Sequence, residues 1–296
     1  MIMEFPINYN NGNCVVTIES DGTKIRETSD EKFDPIFPES IDMKITDYCD
    51  LECDWCHEKS SKKGFHADIE IIKKNLSGLP KGVEIAIGGG NPLAHPDFKD
   101  LVVWLKTNGL IANVTINAKH LPRYKDVLER YIDSGFIYGI GVSYDGVNFF
   151  DTPNTVYHVI AGIHGFSEIR NLISSNRDVL ILGYKKYGRG IGFFDFDVKN
   201  KIKELKNNIW RILNKGNISF DNLAIEQLNI DKFIIKEDWD EFYMGDDGTF
   251  TMYYDAVKNE YALSSISERV KVDVPVIDWF AVNRRINHEG YKKISF

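Results

Sequence analysis

The chain has 296 residues, 43% hydrophobic and 27% charged, with 36 basic against 44 acidic residues and a formal charge of −8. That is ordinary globular composition, which excludes disorder, and the acidic balance argues against a nonspecific polyanion binder. No run approaches about 18 apolar residues, residues 1–13 lack the basic start and apolar core of a signal peptide, and there are only four cysteines. The expectation is therefore a cytoplasmic protein with reduced thiols, neither membrane-bound nor disulfide-stapled.

Residues 1–40 read as an N-terminal β extension and linker. Cys14 to Ile18 has strand character, Asp21-Gly22 is a turn dipeptide, and Thr23 to Thr28 predicts the return strand of a β-hairpin. Phe33 to Ser40, with Pro35 and Pro38, reads as a linker.

From residue 41 to about 220, strands alternate with helices. Predicted strands are Ile41 to Thr46, Val83 to Ile87, Ala112 to Ile116, Phe136 to Ser143, Val156 to Ile163, Asp178 to Leu182 and Ile218 to Phe220. Predicted helices are Asp68 to Leu79, with Ile69, Ile72, Leu76 and Leu79 at helical spacing, then Pro96 to Asn108, Arg123 to Ser134, a helix capped by Ser167 and running to Ser175, and Val198 to Lys215. This alternation argues for parallel βα units. A closed eight-fold barrel typically takes about 250 residues, so the roughly 180 available here predict a partial (β/α)6 TIM-like barrel.

Residues 221–296 change character. Asp247-Gly248 and Lys258-Asn259 read as turns around strands Thr249 to Ala256 and Tyr261 to Ser265, and Pro275 to Ile286 as a closing helix. The expectation is a β-rich C-terminal cap that selects substrate.

Three of the four cysteines, Cys49, Cys53 and Cys56, lie in one loop directly after the first barrel strand. Three thiols so placed can converge on one metal centre. Zinc would take them with His57 as fourth ligand. Cys53-Asp54-Trp55-Cys56-His57 also fits a c-type haem attachment pattern, which needs export to an oxidising compartment. A 4Fe-4S cluster with three protein ligands is a further reading, and chance clustering of structural thiols is the bland one.

The spacing of three residues, then two, with Trp55 just before the last cysteine, resembles the radical S-adenosylmethionine (radical SAM) superfamily. That family's signature is CxxxCx(aromatic)C in the loop after the first strand of a partial barrel. The resemblance implies that Cys49, Cys53 and Cys56 bind three irons of a 4Fe-4S cluster. It implies that the fourth iron chelates S-adenosylmethionine (SAM), which is cleaved reductively to a 5′-deoxyadenosyl radical that abstracts hydrogen from a substrate. It also implies an electron donor such as flavodoxin or ferredoxin.

A second resemblance lies one βα unit later, at Gly88-Gly89-Gly90-Asn91-Pro92, where the family carries a Gly-Gly-Glu-Pro-like motif that holds the SAM amino group. Here Gly90 occupies the acidic position, so Asn91's carbonyl oxygen or main-chain carbonyls would have to serve. Strand ends supply the remaining cofactor candidates: Asn117, Ser143 and Asp145, with residues 160–164, and Tyr184 and Lys185. Asp145-Gly146 reads equally as a turn, and Lys185 as a solvated lysine. Lys185, Lys186 and Arg189 form a basic group that is either an anion clamp or a solvated loop.

His57 and Glu58 are candidates to shield the cluster or to reach substrate. Cys14 is a candidate hydrogen donor by resemblance to radical SAM epimerases, although a lone cysteine opening an apolar strand is more often a small buried hydrophobe. Asp246, Asp247 and Asp255 with Tyr243, Tyr253 and Tyr254 suggest an acidic, aromatic mouth suited to a cationic or polar peptide. The expected substrate is a peptide or protein side chain. Modification of a nucleotide or nucleic acid, and a non-catalytic zinc or iron–sulfur module, are the alternatives.

Overall fold

The computed structural model describes residues 5–243 and 245–285. The chain opens with a three-stranded antiparallel sheet, β1 (Ile7–Asn11), β2 (Cys14–Ile18) and β3 (Lys24–Glu27), in that order. The expected hairpin is β2–β3. The additional strand, β1, alternates Ile7 and Tyr9 with Asn8 and Asn10 over only four residues, and Gly12 at φ 62 turns it back onto β2. Cys14, Val16 and Ile18 bury their side chains against Ile111, Phe5, Ile7 and Tyr138, so this small sheet packs where β6 (Ile111–Asn117) begins.

The main sheet has ten strands. Eight are parallel, the first seven in chain order being β4 (Ser40–Thr46), β5 (Glu84–Gly89), β6, β7 (Gly139–Ser143), β8 (Thr155–Ile160), β9 (Asp178–Leu182) and β10 (Ile218–Phe220). Helices α1 (Ile69–Leu76), α2 (Phe98–Thr107), α3 (Leu121–Asp133), α4 (Phe166–Ser174), α5 (Gly190–Phe193) and α6 (Phe196–Asn208) connect them. Ile41, Met43 and Ile45 on β4, Ile85 and Ile87 on β5, and Val114 and Ile116 on β6 are buried with helix residues such as Ile72 and Leu101 in one core. Because side chains alternate along a strand, Asp42, Lys44 and Thr46, Gly88, Thr115 and Asn117, Ser143 and His158 face the other side, the lumen of the open barrel.

The helix bounds shift by a few residues from the sequence expectation, and two of the shifts have a visible cause. Helix α4 starts before Ser167, because Gly165 is its cap and the Glu168 carboxylate accepts the Gly165 N–H. The long helix expected from Val198 to Lys215 starts earlier, where Asp195 accepts the Val198 N–H. It then tightens into a 3-10 turn at Ile209–Arg211, with Ile209 and Ile212 both buried in the core.

The C-terminal region is mixed and not β-rich as expected: among the described residues it holds three α-helices and three short strands, and the strands continue the main sheet. After α7 (Asn222–Leu228) and α8 (Lys236–Phe242), β11 (Thr251–Asp255) pairs parallel to β4, with Tyr254 beside Met43 and Asp255 beside Lys44. Strands β12 (Glu260–Ala262) and β13 (Val270–Lys271) follow antiparallel, and α9 (Val276–Asn283) packs on α1. Ile286, expected at the end of α9, lies outside the described residues. The sheet runs β10-β9-β8-β7-β6-β5-β4-β11-β12-β13 and stays open among the described residues.

Candidate cofactor and substrate site

The cysteine loop leaves the top of β4 and is pinned by its own backbone. The Cys49 N–H donates to Ser61 O, the Ser61 N–H returns to Asp47 O, and the Cys56 N–H donates to Cys53 O. Glu52 and Lys59 adopt left-handed conformations on either side of Cys53 and Cys56, at φ 49 and 54. Non-glycine residues pay for that geometry, which the loop needs to bend back. Cys49 is buried, Cys53 and Cys56 are half-buried, and all three are free thiols. Burial raises the Cys49 and Cys53 thiols, and for Cys53 the neighbouring Cys49 and Cys56 add to it. At Cys53 the neighbouring sulfurs thus oppose thiolate formation, and a cation among them would reverse that penalty.

Arg189, expected as part of a solvated basic loop, instead straps the cysteine loop. Its Nε donates to Cys53 O at 2.8 Å, its guanidinium also reaches Ser60 O at 3.0 Å, and its backbone N–H donates to Cys56 O. Trp55 lies against Phe193 of α5 at 5.6 Å between ring centres. Sequence reasoning also missed the Asp50–His120 pair: His120 Nε2 is 2.7 Å from Asp50 Oδ1, and Cys49 Sγ lies within 4.8 Å of both groups.

The glycine motif docks on the same loop. The Gly90 N–H donates to Thr46 O and the Asn91 N–H to Tyr48 O. A Cβ on Gly90 would run into the Tyr48 carbonyl, and Gly89 sits at φ 120 against Thr46 O, so neither position takes a side chain. Gly88 differs: a Cβ there would meet nothing within 4 Å, so it leaves open space on the lumen face. Asn91 is fully buried and its Oδ1 has no hydrogen-bond partner. A buried acceptor left unmatched costs about 1–3 kcal/mol, so it marks where a donor is missing.

The other strand-end candidates divide by what already occupies them. Asn117 Oδ1 accepts the Lys119 N–H. Asp145 accepts from Val147 N, Asn148 N and Asn148 Nδ2; burial opposes its ionisation, but the Asn148 and Val147 N–H bonds win and lower its pKa. Tyr184 is buried and donates to Gly190 O, so it serves packing. Ser143 is half-buried on the lumen face. Lys185 donates to Ser265 Oγ at 2.8 Å. Cys14 stays in the small N-terminal sheet, donates to Asn11 O and has its thiol raised by burial, so the structure does not bring it to the loop.

His158 was not singled out from sequence, although its alternation with the buried Tyr157 and Val159 places it inward. Its ring lies over Gly141, where a Cβ would crowd Cε1 and Nε2. Burial, then the charge of Lys185, lowers its pKa to about 4, so it is a neutral imidazole at pH 7. Asp42 also faces the lumen. Water reaches it, yet the surrounding protein raises its pKa, with Lys185 opposing.

The expected acidic mouth is largely committed to structure. Asp255 is fully buried and bonded to Lys44 and Arg269. Tyr254 faces the core and bonds Asn75 of α1, Tyr253 donates to Glu58, and Tyr243 donates to Asp246. His57 and Glu58 sit beside a cavity of about 300 Å³ that Lys59, Gly188, Lys258 and Arg269 also line. Burial, then Lys185, lowers His57 to about 3.

Residues 43–180 match the sequence model of the Radical SAM superfamily. Among solved structures, the fold is similar to SuiB from Streptococcus suis (TM-score 0.59, 12% identity), with 96% of this chain and 89% of that one covered. SuiB with its bound precursor peptide SuiA gives a TM-score of 0.56 at 13% identity, over 84% of this chain and 66% of that one. Native anSMEcpe with bound AdoMet gives 0.52 at 13% identity, over 83% and 80%.

Proposed function

We propose that this chain, an enzyme of the radical SAM class whose family domain spans residues 43–180, abstracts hydrogen from a side chain of a peptide or protein. The residues present fit the cofactors of that class. Three free thiols in one loop, Cys49, Cys53 and Cys56, would hold a 4Fe-4S cluster and leave one iron open. Gly88 leaves room for SAM in the lumen, and the orphaned Asn91 Oδ1 would accept from its amino group in place of the missing acid. The Lys185 ammonium, with a hydroxyl partner but no carboxylate within 4 Å among the described residues, would meet the SAM carboxylate. Ser143 and Asn117 stand at the same rim, and Trp55, packed on Phe193, would help to keep water from the cluster. When bound, cluster and SAM supply the 5′-deoxyadenosyl radical; the protein's part is to orient, to exclude water and to hold the substrate.

The observation that carries the peptide reading is the lumen itself, polar and uncommitted at Asp42, Ser143 and His158. SuiB, whose fold this chain shares, has been crystallised with a precursor peptide, which supports the same substrate class. An electron donor such as flavodoxin or ferredoxin is part of this reading.

Anaerobic reconstitution, metal analysis and product assay test it. About four irons per chain, with 5′-deoxyadenosine on reduction, is the expected result, and Cys53→Ala should abolish both. One zinc per chain, or iron without 5′-deoxyadenosine, would overturn the assignment. 5′-Deoxyadenosine formation stimulated by candidate precursor peptides supports the substrate class; stimulation by nucleotides or RNA alone refutes it.

A further inference from the structure

Lys44 is 3% exposed and its ammonium touches three carboxylates: Asp47 at 2.7 Å, Glu58 at 2.9 Å and Asp255 at 2.8 Å. Asp47 lies two residues before Cys49, and Glu58 two residues after Cys56. One buried cation thus ties together both ends of the cysteine loop. Arg269, from the C-terminal region, doubles the tie, reaching Glu58 at 2.6 Å and Asp255 at 2.7 Å. Tyr253 donates to the same Glu58 oxygen that Arg269 reaches, at 3.1 Å.

We infer that Glu58 is a positioning residue: through Lys44 and Arg269 it clamps the cysteine loop so that the three thiols are spaced for a cluster before any metal arrives. The C-terminal strand β11 therefore belongs to the cofactor site as well as to the substrate cap. Buried ion networks are a poor route to stability alone, since apolar side chains of similar volume often do as well or better. What charges add is direction. A carboxylate gripped by two cations fixes its backbone within hydrogen-bond geometry, which packing alone does not. The inference rests on the cluster assignment of the cysteines, and on no particular substrate.

The test uses the full chain, first metal-free and then reconstituted. Hydrogen exchange is measured on the metal-free wild type and on Glu58→Gln, Arg269→Gln and Arg269→Lys. Amides of residues 47–64 should exchange at least about tenfold faster in the two Gln variants while β6 to β9 are unchanged. After reconstitution the Gln variants should bind less than about half of the four irons, and any cluster formed should lose the SAM-induced change in its EPR spectrum. Arg269→Lys, which keeps the charge, should recover most of the iron. Wild-type exchange and iron content in both Gln variants would overturn the inference. So would faster exchange spread through the whole sheet, which would make the network a general stabiliser. If the wild type itself takes up no cluster, the cluster assignment fails, and the exchange pattern of the metal-free loop still decides the clamp.

Discussion

Asp42 and Lys44 stand two residues apart on the same face of β4, and their surroundings are opposite. Lys44 is closed off by three carboxylates, whereas Asp42 makes no hydrogen bond or ion pair among the described residues. The contrast extends outward from each. Around Lys44 every charge of the cysteine-loop clamp is matched. Across the lumen, His158 and Asp42 are held without a bonding partner. The clamp sets opposite charges face to face, whereas the lumen keeps a water-exposed carboxylate and a neutral imidazole without a protein partner among the described residues.

The most severe way to break this comparison is Lys44→Met. It leaves buried carboxylates without their cation, and loss of one partner from a buried pair costs about 3–5 kcal/mol. Thermal melting of the metal-free protein should show that loss, whereas Asp42→Asn should melt as high as wild type or higher. Equal losses from the two would erase the distinction.

Acid should separate the two regions in order. Burial works against the Glu58 carboxylate, but hydrogen bonds from Arg269 and the charge of Lys44 hold its pKa at about 2. A depressed carboxylate pKa contributes stability that is full above its unfolded value, near 4.3, and disappears as pH falls towards 2, worth about 3 kcal/mol. The imidazole of His158, with its pKa lowered to about 4, contributes stability present above about 6.5 and lost as pH falls through 4. Denaturation of metal-free protein between pH 7 and 2 should therefore show an earlier loss flattened by His158→Gln and a later one flattened by Glu58→Gln. A single transition moved by neither variant would contradict this order.

Asn91→Ala sharpens the comparison at the rim. Removing the unmatched acceptor should weaken SAM binding to the reconstituted enzyme about tenfold, near 1.4 kcal/mol, by calorimetry, with iron content unchanged. The smallest effect belongs to Lys59, at φ 54. Lys59→Gly should change metal-free stability by no more than about 1 kcal/mol, because relief of the left-handed backbone offsets the entropy that glycine adds to the unfolded chain.

Sequence made the cysteine loop and the βα succession legible because both are local: a three-then-two spacing, and apolar periods bounded by glycine and proline. The partner of β11 was not legible. Parallel pairing between Lys44 and Asp255 joins segments roughly 210 residues apart, and no short-range pattern records it. The same distance hid the fate of Asp255 and Tyr253, which read as lining of a mouth and fold as parts of a clamp. Arg189 looked like one of three solvated cations because its targets are carbonyls, which carry no sequence signature. His158 could have been found by extending the alternation of β8 through Tyr157 and Val159.

The pairing of β11 with β4 also sets a schedule. A ribosome adds about 5–20 residues per second, so Asp255 and Arg269 follow Lys44 by roughly 10–50 seconds. Until they emerge, the cysteine loop of a nascent chain has its own backbone bonds and the Arg189 strap but lacks the C-terminal half of its clamp. A chain truncated before residue 251 would keep the Arg189 strap and lose the Asp255 and Arg269 side of the clamp, so the ion network around Lys44 and Glu58 closes only on the longer polypeptide.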